Sequence, residues 1–471
     1  MTADQRRIVV AVCLIYFLSL MMIGGLTFLV PPMAENLKLA DDTVENLLAV
    51  PSVAALVAVF SAGQLGERFG PRRAIAIAGL CCTIGASVMI FATGSVAAQL
   101  GLSIYAAAGI TIQIVGISLL QTTTVTGPAQ VSAFTTFGTV APLAFVIIPV
   151  ATAGLLDVAD WRLVPLFWAI AGILIIVVAL RWLDRGSGSP STGEWVTPLL
   201  AGLSLAAAAR AIAEVDNLSL DRNWVLIACL VSALAATACA VATRRVRRAS
   251  FSTSAIRGRM MQSMLLCVAL VSCVQLLNLV CIVMEFLYGL SAEEVALATV
   301  PAQLAAAVGA KVLATKAINR WGGFRAGRNL LLAIAVTMLP LLALTQNSPA
   351  WILVVVTMLF SFTTMGALTA FNAEVMRRSP SGGTEAASSF RSAASSIGGA
   401  LGVGIFGAIM LSGTRVDVGS AAVTAGARAE MVAGLRLAGL IACSVAIAGS
   451  IMLTLVERRS PADGQPIAPA A

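Results

Sequence analysis

The sequence predicts an all-α integral membrane protein of fourteen transmembrane helices: two parallel six-helix bundles with two extra helices between them. Three observations carry this. The composition suits a bilayer, the basic residues alternate across fourteen apolar runs, and the two halves of the chain repeat at a fixed offset.

Of 471 residues, 59% are hydrophobic and only 11% are charged, with a mean hydropathy of +0.95. An average soluble domain carries about 25% charged residues. There is too little polar surface to solvate the roughly three soluble domains this length would allow, and disorder needs the opposite balance. Histidine is absent, which excludes imidazole metal sites, Ser-His hydrolysis and histidine proton relays. The nine cysteines lie inside apolar runs with no CxxC spacing, as small packing residues do.

A span needs about 20 predominantly apolar residues. Such runs fall at 8–30, 44–64, 74–94, 97–120, 129–155, 163–183 and 196–215. They continue at 224–243, 260–289, 293–316, 327–346, 349–372, 386–411 and 431–456. The first run, Ile8 to Val30, is longer than the 7–15-residue core of a signal peptide and no small-residue cleavage site follows, so it reads as a span.

Lys and Arg accumulate in cytoplasmic loops. With the N-terminus inside and fourteen crossings, 21 of the 30 Lys and Arg fall in cytoplasmic segments or at the cytoplasmic ends of spans, five outside and four deeper within spans. Adding or dropping one span would invert the bias over half the chain. The net charge of +8 is therefore a topology signal and implies no nucleic-acid partner. The expected location is a plasma (inner) membrane, multi-pass, with both termini cytoplasmic. The preference for Arg over Lys suggests a GC-rich bacterium.

The organisation follows. Residues 1–183 form the first six-helix bundle. Residues 184–259 form a linker holding the two extra helices, the flexible stretch Gly186–Gly193 and a basic loop. Residues 260–456 form the second bundle, and 457–471 a disordered cytoplasmic tail.

The repeat is visible in two loops. One reads Gly63-Gln-Leu65-Gly66-Glu67-Arg68-Phe69-Gly70-Pro-Arg72-Arg73, and the other Asn319-Arg320-Trp321-Gly322-Gly-Phe-Arg325. Arg-aromatic-Gly recurs with an offset of 252 residues, and sliding by that amount lays spans one to five onto nine to thirteen. Parallel repeats of this kind mark transporter folds, with the substrate site between the halves near mid-membrane.

The first loop resembles the G-x-L-a-D-r-x-G-r-k loop of the major facilitator superfamily. Asp160-Trp161-Arg162 is similar to the Trp-Arg that opens that family's sixth helix, and Ile397–Gly404 resembles the thirteenth helix of its fourteen-helix drug:proton antiporter branch. The resemblance implies alternating access, small-molecule efflux coupled to protons, and a loop that latches one conformation through Gly63, Leu65, Gly66, Glu67, Arg68, Gly70, Arg72 and Arg73. Arg320, Trp321, Gly322 and Arg325 repeat it. This chain departs from the branch at several positions. Glu67 replaces an Asp, helix one holds no acid, and helix four lacks the branch's Arg, Gln113 being the nearest polar substitute. The helix-five antiporter glycines are Ala144, Ile148, Thr152 and Ala153.

Ionisable groups inside spans default to functional candidates. Spans one to six hold none beyond Glu45 and Arg181 at their ends. In the ninth, Ser272, Gln275, Asn278 and Glu285 fall near one helical face, as expected of a stripe lining a water-filled cavity, where a carboxyl group could carry a proton. The alternative places Glu285 at the membrane interface. Arg210 and Glu214 pair at i,i+4 on a helix outside both repeats. Lys311 is expected to snorkel to its helix end, and Arg391 and Arg436 lie near helix starts, an anion contact remaining open to Arg391.

Gly402-Val-Gly404-Ile-Phe-Gly407 matches a dinucleotide fingerprint only literally, since it follows no strand and opens no helix. Gly398, Gly402 and Gly404 instead have the small-xxx-small spacing of close helix packing. No Walker sequence, nucleotide site, metal site or cofactor is expected. The reading is thus a non-enzymatic secondary transporter of drug-like or metabolite molecules that can work as a monomer. An uncoupled facilitator or narrow metabolite exporter is the runner-up, and a lipid-modifying enzyme a distant alternative.

Overall fold

The computed structural model describes residues 1–39, 41–124, 127–184, 195–214, 222–245, 258–274, 284, 287–290, 292–379, 383–411 and 425–459. Within them every regular element is a helix. They are α1 (Ala3–Ser19), α2 (Met21–Leu37), α3 (Asp41–Phe69), α4 (Pro71–Ile90), α5 (Ser95–Thr123), α6 (Pro128–Val158) and α7 (Leu163–Trp182). Then come α8 (Val196–Glu214), α9 (Arg222–Arg245), α10 (Arg259–Cys273), α11 (Ala292–Val308) and a π-helical turn, Gly309–Leu313. The chain ends with α12 (Ala314–Leu342), α13 (Ala350–Arg377), α14 (Thr384–Leu411) and α15 (Ala425–Arg459).

Nine segments among the described residues are long and apolar enough to cross a membrane, and three shorter apolar helices accompany them. Several expected limits shift. The first span runs from Ala3 to Leu37 with a break at Leu20, and continues through Pro31 and Pro32. The tenth and eleventh read as one element, Leu297–Leu342, because the chain turns between them in a single residue. That residue is Gly322, with φ 74° and ψ 158°. Gly70, 252 positions earlier, has φ 75° and ψ 157°. Positive φ is strained for any side chain but open to glycine, so Arg-aromatic-Gly repeats because the same tight turn is built twice. In both, the arginine sits near the adjoining ring: Arg68 is 5.5 Å from the Phe69 centroid and Arg320 is 5.6 Å from that of Trp321.

The packing resolves into two hydrophobic cores. One is built from α1–α7, with Trp168, Tyr105, Met22 and Leu29 fully buried, joined at its edge by Ala373, Met376 and Ala387. The other is built from α10–α15 around Phe371, Phe406 and Met264. Outward faces are apolar as well. Leu166, Phe167, Ile170, Ile173 and Leu174 of α7 are all exposed, as a bilayer-facing helix requires. Arg162 ties the start of α7 to the end of α4, donating to the carbonyls of Ile90 and Ala92 at 3.2 Å each. Those carbonyls lie at and beyond the C-terminus of α4, where no intrahelical donor reaches them.

The helices α8 and α9 hold each other through reciprocal Ser204–Ser232 hydrogen bonds of 3.0 Å. α8 packs on α3, with Ala206 and Ala209 against Leu56, and Ala400 of α14 touches the same cluster. Of the proposed Arg210–Glu214 pair, the Glu214 side chain lies outside the described residues.

Candidate functional site

The two cores meet along helices that carry the repeated turns, and the side of the molecule bearing Gly70 and Gly322 is called the motif side below. There α3 and α5 press against the start of α14. A Cβ at Gly63 would lie 2.6 Å from Ser389 Oγ and 3.2 Å from the Glu385 carbonyl, and one at Gly66 would lie 3.4 Å from Glu385 Cγ. Ser118 Oγ donates to Thr384 Oγ1 and Ser388 Oγ donates to the Ile114 carbonyl, both at 3.0 Å and both buried. Phe60 and Phe390 meet edge to face with centroids 5.5 Å apart.

The second seam pairs α6 with α11, the π-turn, α12 and α13. A Cβ at Gly138 would lie 2.7 Å from Thr369 Oγ1 and 3.3 Å from Ala310 Cβ. Lys311 Nζ, on the π-turn, donates to Thr136 Oγ1 of α6 at 2.5 Å.

Between these seams lies a cavity of about 390 Å³ lined from both cores, a size suited to one small molecule. Four aromatic side chains, Tyr16, Phe137, Phe145 and Phe360, form apolar walls, and Tyr16 stacks on Phe137 at 4.5 Å. Gln113, Asn372 and Arg391 lie at the motif-side end, and Gln303 and Ser361 add neutral polar groups elsewhere in the lining. Gln113 Nε2 donates to the Tyr16 hydroxyl at 3.1 Å. Arg391, only 3% exposed, donates to Asn372 Oδ1 at 3.3 Å and to Ser392 Oγ at 2.8 Å. Its Nε has no partner, nor has the buried Thr364 Oγ1 in the same wall. The cavity extends from Phe137 to Phe145 along α6, two helical turns or about 12 Å, away from the motif side.

The profile of the Major Facilitator Superfamily matches residues 12–403. The chain belongs to this superfamily. Solved structures agree on the fold. The human organic anion transporter MFSD10 (TETRAN) superposes with a TM-score of 0.64 at 15% identity, covering 96% of this chain and all of that one. A variant of the E. coli fucose:proton symporter FucP gives 0.59 at 14% identity, covering 94% and 98%. No curated protein sequence matches. At these identities the likeness carries the fold and not the substrate. The protein is a superfamily transporter rather than an enzyme.

On this superfamily scaffold the sequence-predicted residues separate. Gln113 reaches the cavity. Ser272 is buried one step behind it, bonded at 2.9 Å to the cavity-lining Ser395. Gln275, Asn278 and Glu285 lie outside the described residues. In the loop motif, Gly63 and Gly66 face α14, Leu65 packs against the first core and Gly70 makes the turn. Glu67 is half-buried and feels the like charge of Glu385. Arg68 stacks near Phe69 and Trp195, Arg72 is half-buried and Arg73 is exposed. In the repeat, Trp321 is 39% exposed beside Arg320, Gly322 makes the turn, and Arg325 binds Glu457 at 2.6 Å. Gly398 and Gly402 face the Ala269 and Cys273 carbonyls of α10 so closely that a Cβ would overlap them. Gly404 continues the same helix, with its surroundings outside the described residues.

Two residues carry more than the sequence reading gave them. Lys311 does not reach for its helix end but crosses to α6. Arg391 sits in the cavity floor, whereas Arg436 binds the Leu344 carbonyl. The signal for Arg391 was present: a lone charge inside a span, flanked by Ser388, Ser392 and Ser395 at helical spacing. Its closeness to the helix start argued the other way.

Proposed function

We propose that this chain is a secondary active exporter that carries a small molecule by alternating access, rocking its two cores about the central cavity. The observation that carries this reading is the cavity itself, lined from both cores, with direct hydrogen bonds between the cores on its motif side. The excess of basic residues puts the motif side in the cytoplasm. The conformation then has its cavity directed outward, the state from which an exporter releases its cargo.

The resemblance to the drug:proton antiporter branch favours proton coupling, with Glu285 of the ninth span as carrier. A second reading, an uncoupled facilitator, is favoured by a specific observation: no carboxylate lies among the described cavity-lining residues. The two separate in cells expressing the chain and loaded with a lipophilic dye. Coupled export lowers accumulation, and both a protonophore and Glu285→Gln abolish the difference. Facilitated movement survives both.

Alternating access is testable without knowing the cargo. In a chain whose native cysteines are replaced, a cysteine at Ala141 should react with an impermeant maleimide from either membrane face. A Ser118→Cys/Thr384→Cys disulfide across the seam should remove labelling from the motif side alone. Labelling from one face only, with or without the disulfide, would sink the reading.

A further inference from the structure

We infer that the cavity selects organic monoanions, a carboxylate or similar head held by Arg391 with an apolar body against the aromatic walls. This rests on the transport reading above and names the cargo's charge class.

Arg391 is a fixed cation, 3% exposed, on a helix inside the bilayer. Removing such a charge from water is costly unless a countercharge meets it. Its two protein partners, Asn372 and Ser392, are neutral. The cavity around it is lined by hydroxyls, amides, aromatic rings and aliphatic groups, with no carboxylate among the described lining residues. The nearest described acids on the flanking helices are committed or turned away. Glu374 is bound by Arg377 and Arg378, and Glu385 lies at the α3 seam beside Gly66. The missing countercharge is what a ligand would bring.

The chemistry of the floor narrows that ligand. Arginine offers a planar fork of donors that matches a carboxylate, and its Nε is unpaired. The Thr364 hydroxyl in the same wall is likewise without a partner. The Tyr16 hydroxyl accepts from Gln113 and keeps its own proton to donate. One cation and a few neutral donors suit a single negative charge; a phosphate dianion would call for more. Above the floor, Phe137, Phe145 and Phe360 supply apolar surface beside the neutral Gln303 and Ser361, which fits an aromatic or aliphatic body.

The pseudo-repeat sharpens the point. The position 252 residues before Arg391 is Thr139, so the charge is not a structural feature of the repeated helix but belongs to one half alone.

The test uses three probes with one ring system and different heads: 1-naphthoate, 1-naphthamide and 1-naphthylmethylammonium. Binding to the full purified chain in detergent is followed by thermal stabilisation and by equilibrium dialysis. The naphthoate should bind at least tenfold tighter than the amide, and the ammonium should be weakest. Arg391→Gln should bring the carboxylate down to the affinity of the amide while leaving the amide unchanged. Arg391→Lys, which keeps the charge and loses the fork, should fall between. An amide or ammonium that binds as tightly as the carboxylate to the wild-type chain overturns the inference, whether or not Arg391→Gln folds. So does carboxylate preference that appears only in Glu285→Gln, which would make Glu285 the resident countercharge. If cysteine labelling alternates while the carboxylate gains nothing, the charge class is wrong and the transport reading stands. If labelling itself fails to alternate, the transport reading has failed.

Discussion

The turns at Gly70 and Gly322 share a backbone to within a degree or so yet sit in opposite electrostatic company. Beside Gly322, a Cβ at Gly323 would lie 2.6 Å from an oxygen of Glu374, which is 2% exposed and held by Arg377 at 2.5 Å and Arg378 at 2.6 Å. Arg325 and Arg328 both bind Glu457 at 2.6 Å. All of these partners belong to one core. The position that precedes Glu374 by 252 residues is Thr122, whose hydroxyl bonds only to its own helix. Around Gly70 the close contacts instead reach the other core, through Gly63 and Gly66, and the two facing acids, Glu67 and Glu385, carry like charge. Opposite charges are paired where a core must stay rigid. Neutral bonds and like charges occupy the seam that a transport cycle must part.

The first way to break this comparison is Glu374→Gln. It removes the acid between two arginines and leaves them facing a neutral, buried amide. Losing one member of a fully buried pair costs about 3–5 kcal/mol, and because the arginines are partly exposed the loss here should be about 2–3 kcal/mol. The apparent melting temperature in detergent should fall by about 5 °C or more, with the access of a cavity cysteine unchanged in the fraction that remains folded. A variant that melts like the wild type would show that the cluster stabilises nothing.

Gly63→Leu should do the reverse. The added side chain collides with Ser389 and the Glu385 backbone only when the seam is closed, so its overpacking cost of about 1–3 kcal/mol falls on one conformation. Motif-side labelling of the Ala141→Cys chain should rise by about tenfold, with little change in melting. Equal labelling before and after the substitution would remove Gly63 from the latch.

How much of this could be read in advance follows the same division. Arg-aromatic-Gly at an offset of 252 residues predicted a repeated turn because positive φ demands glycine, a local and residue-specific constraint. Apolar runs predicted helices for an equally local reason, the bilayer. The seams depend on which helix faces which, and nothing local encodes that. Lys311 near a helix end looked like a snorkelling side chain, yet the π-turn at Gly309–Leu313 places it against Thr136. Gln113 was found because the resemblance expects an arginine in helix four and Gln113 is the nearest polar substitute there. Tyr16 was not, since an aromatic ring in helix one looks like any core residue until its hydroxyl is seen beside Gln113. Arg391 fell between, legible as an intramembrane charge and misjudged by its distance from the helix start.

A smaller effect distinguishes the two seams. Lys311→Met removes the hydrogen bond to Thr136, but it also relieves the burial of an ammonium group. The net change should be about 1 kcal/mol, near the value of one ordinary hydrogen bond, or about fivefold in motif-side labelling. Thr136→Val should match it, and the double variant should add nothing further, as two residues sharing one interaction require. Additive effects would mean that the bond seen between the cores does not hold them.

The smallest expected effect has the opposite sign. Glu385 bonds to the Thr384 hydroxyl at 2.9 Å and faces Glu67 across the seam with no cation between them in the described contacts. Glu385→Gln keeps the shape and the hydrogen-bonding capacity while removing the repulsion. Solvent screening of such a partly exposed charge pair leaves about 1 kcal/mol or less. Motif-side labelling should therefore fall by about twofold to fivefold, and raising salt should narrow the gap between the variant and the wild type. Glu67→Gln should act in the same direction, and the double variant should gain no more than either alone. If neutralising either acid opens the seam instead, the acids are held by arginines during part of the cycle. The contrast between a charge-paired core and a like-charged seam would then describe one conformation only.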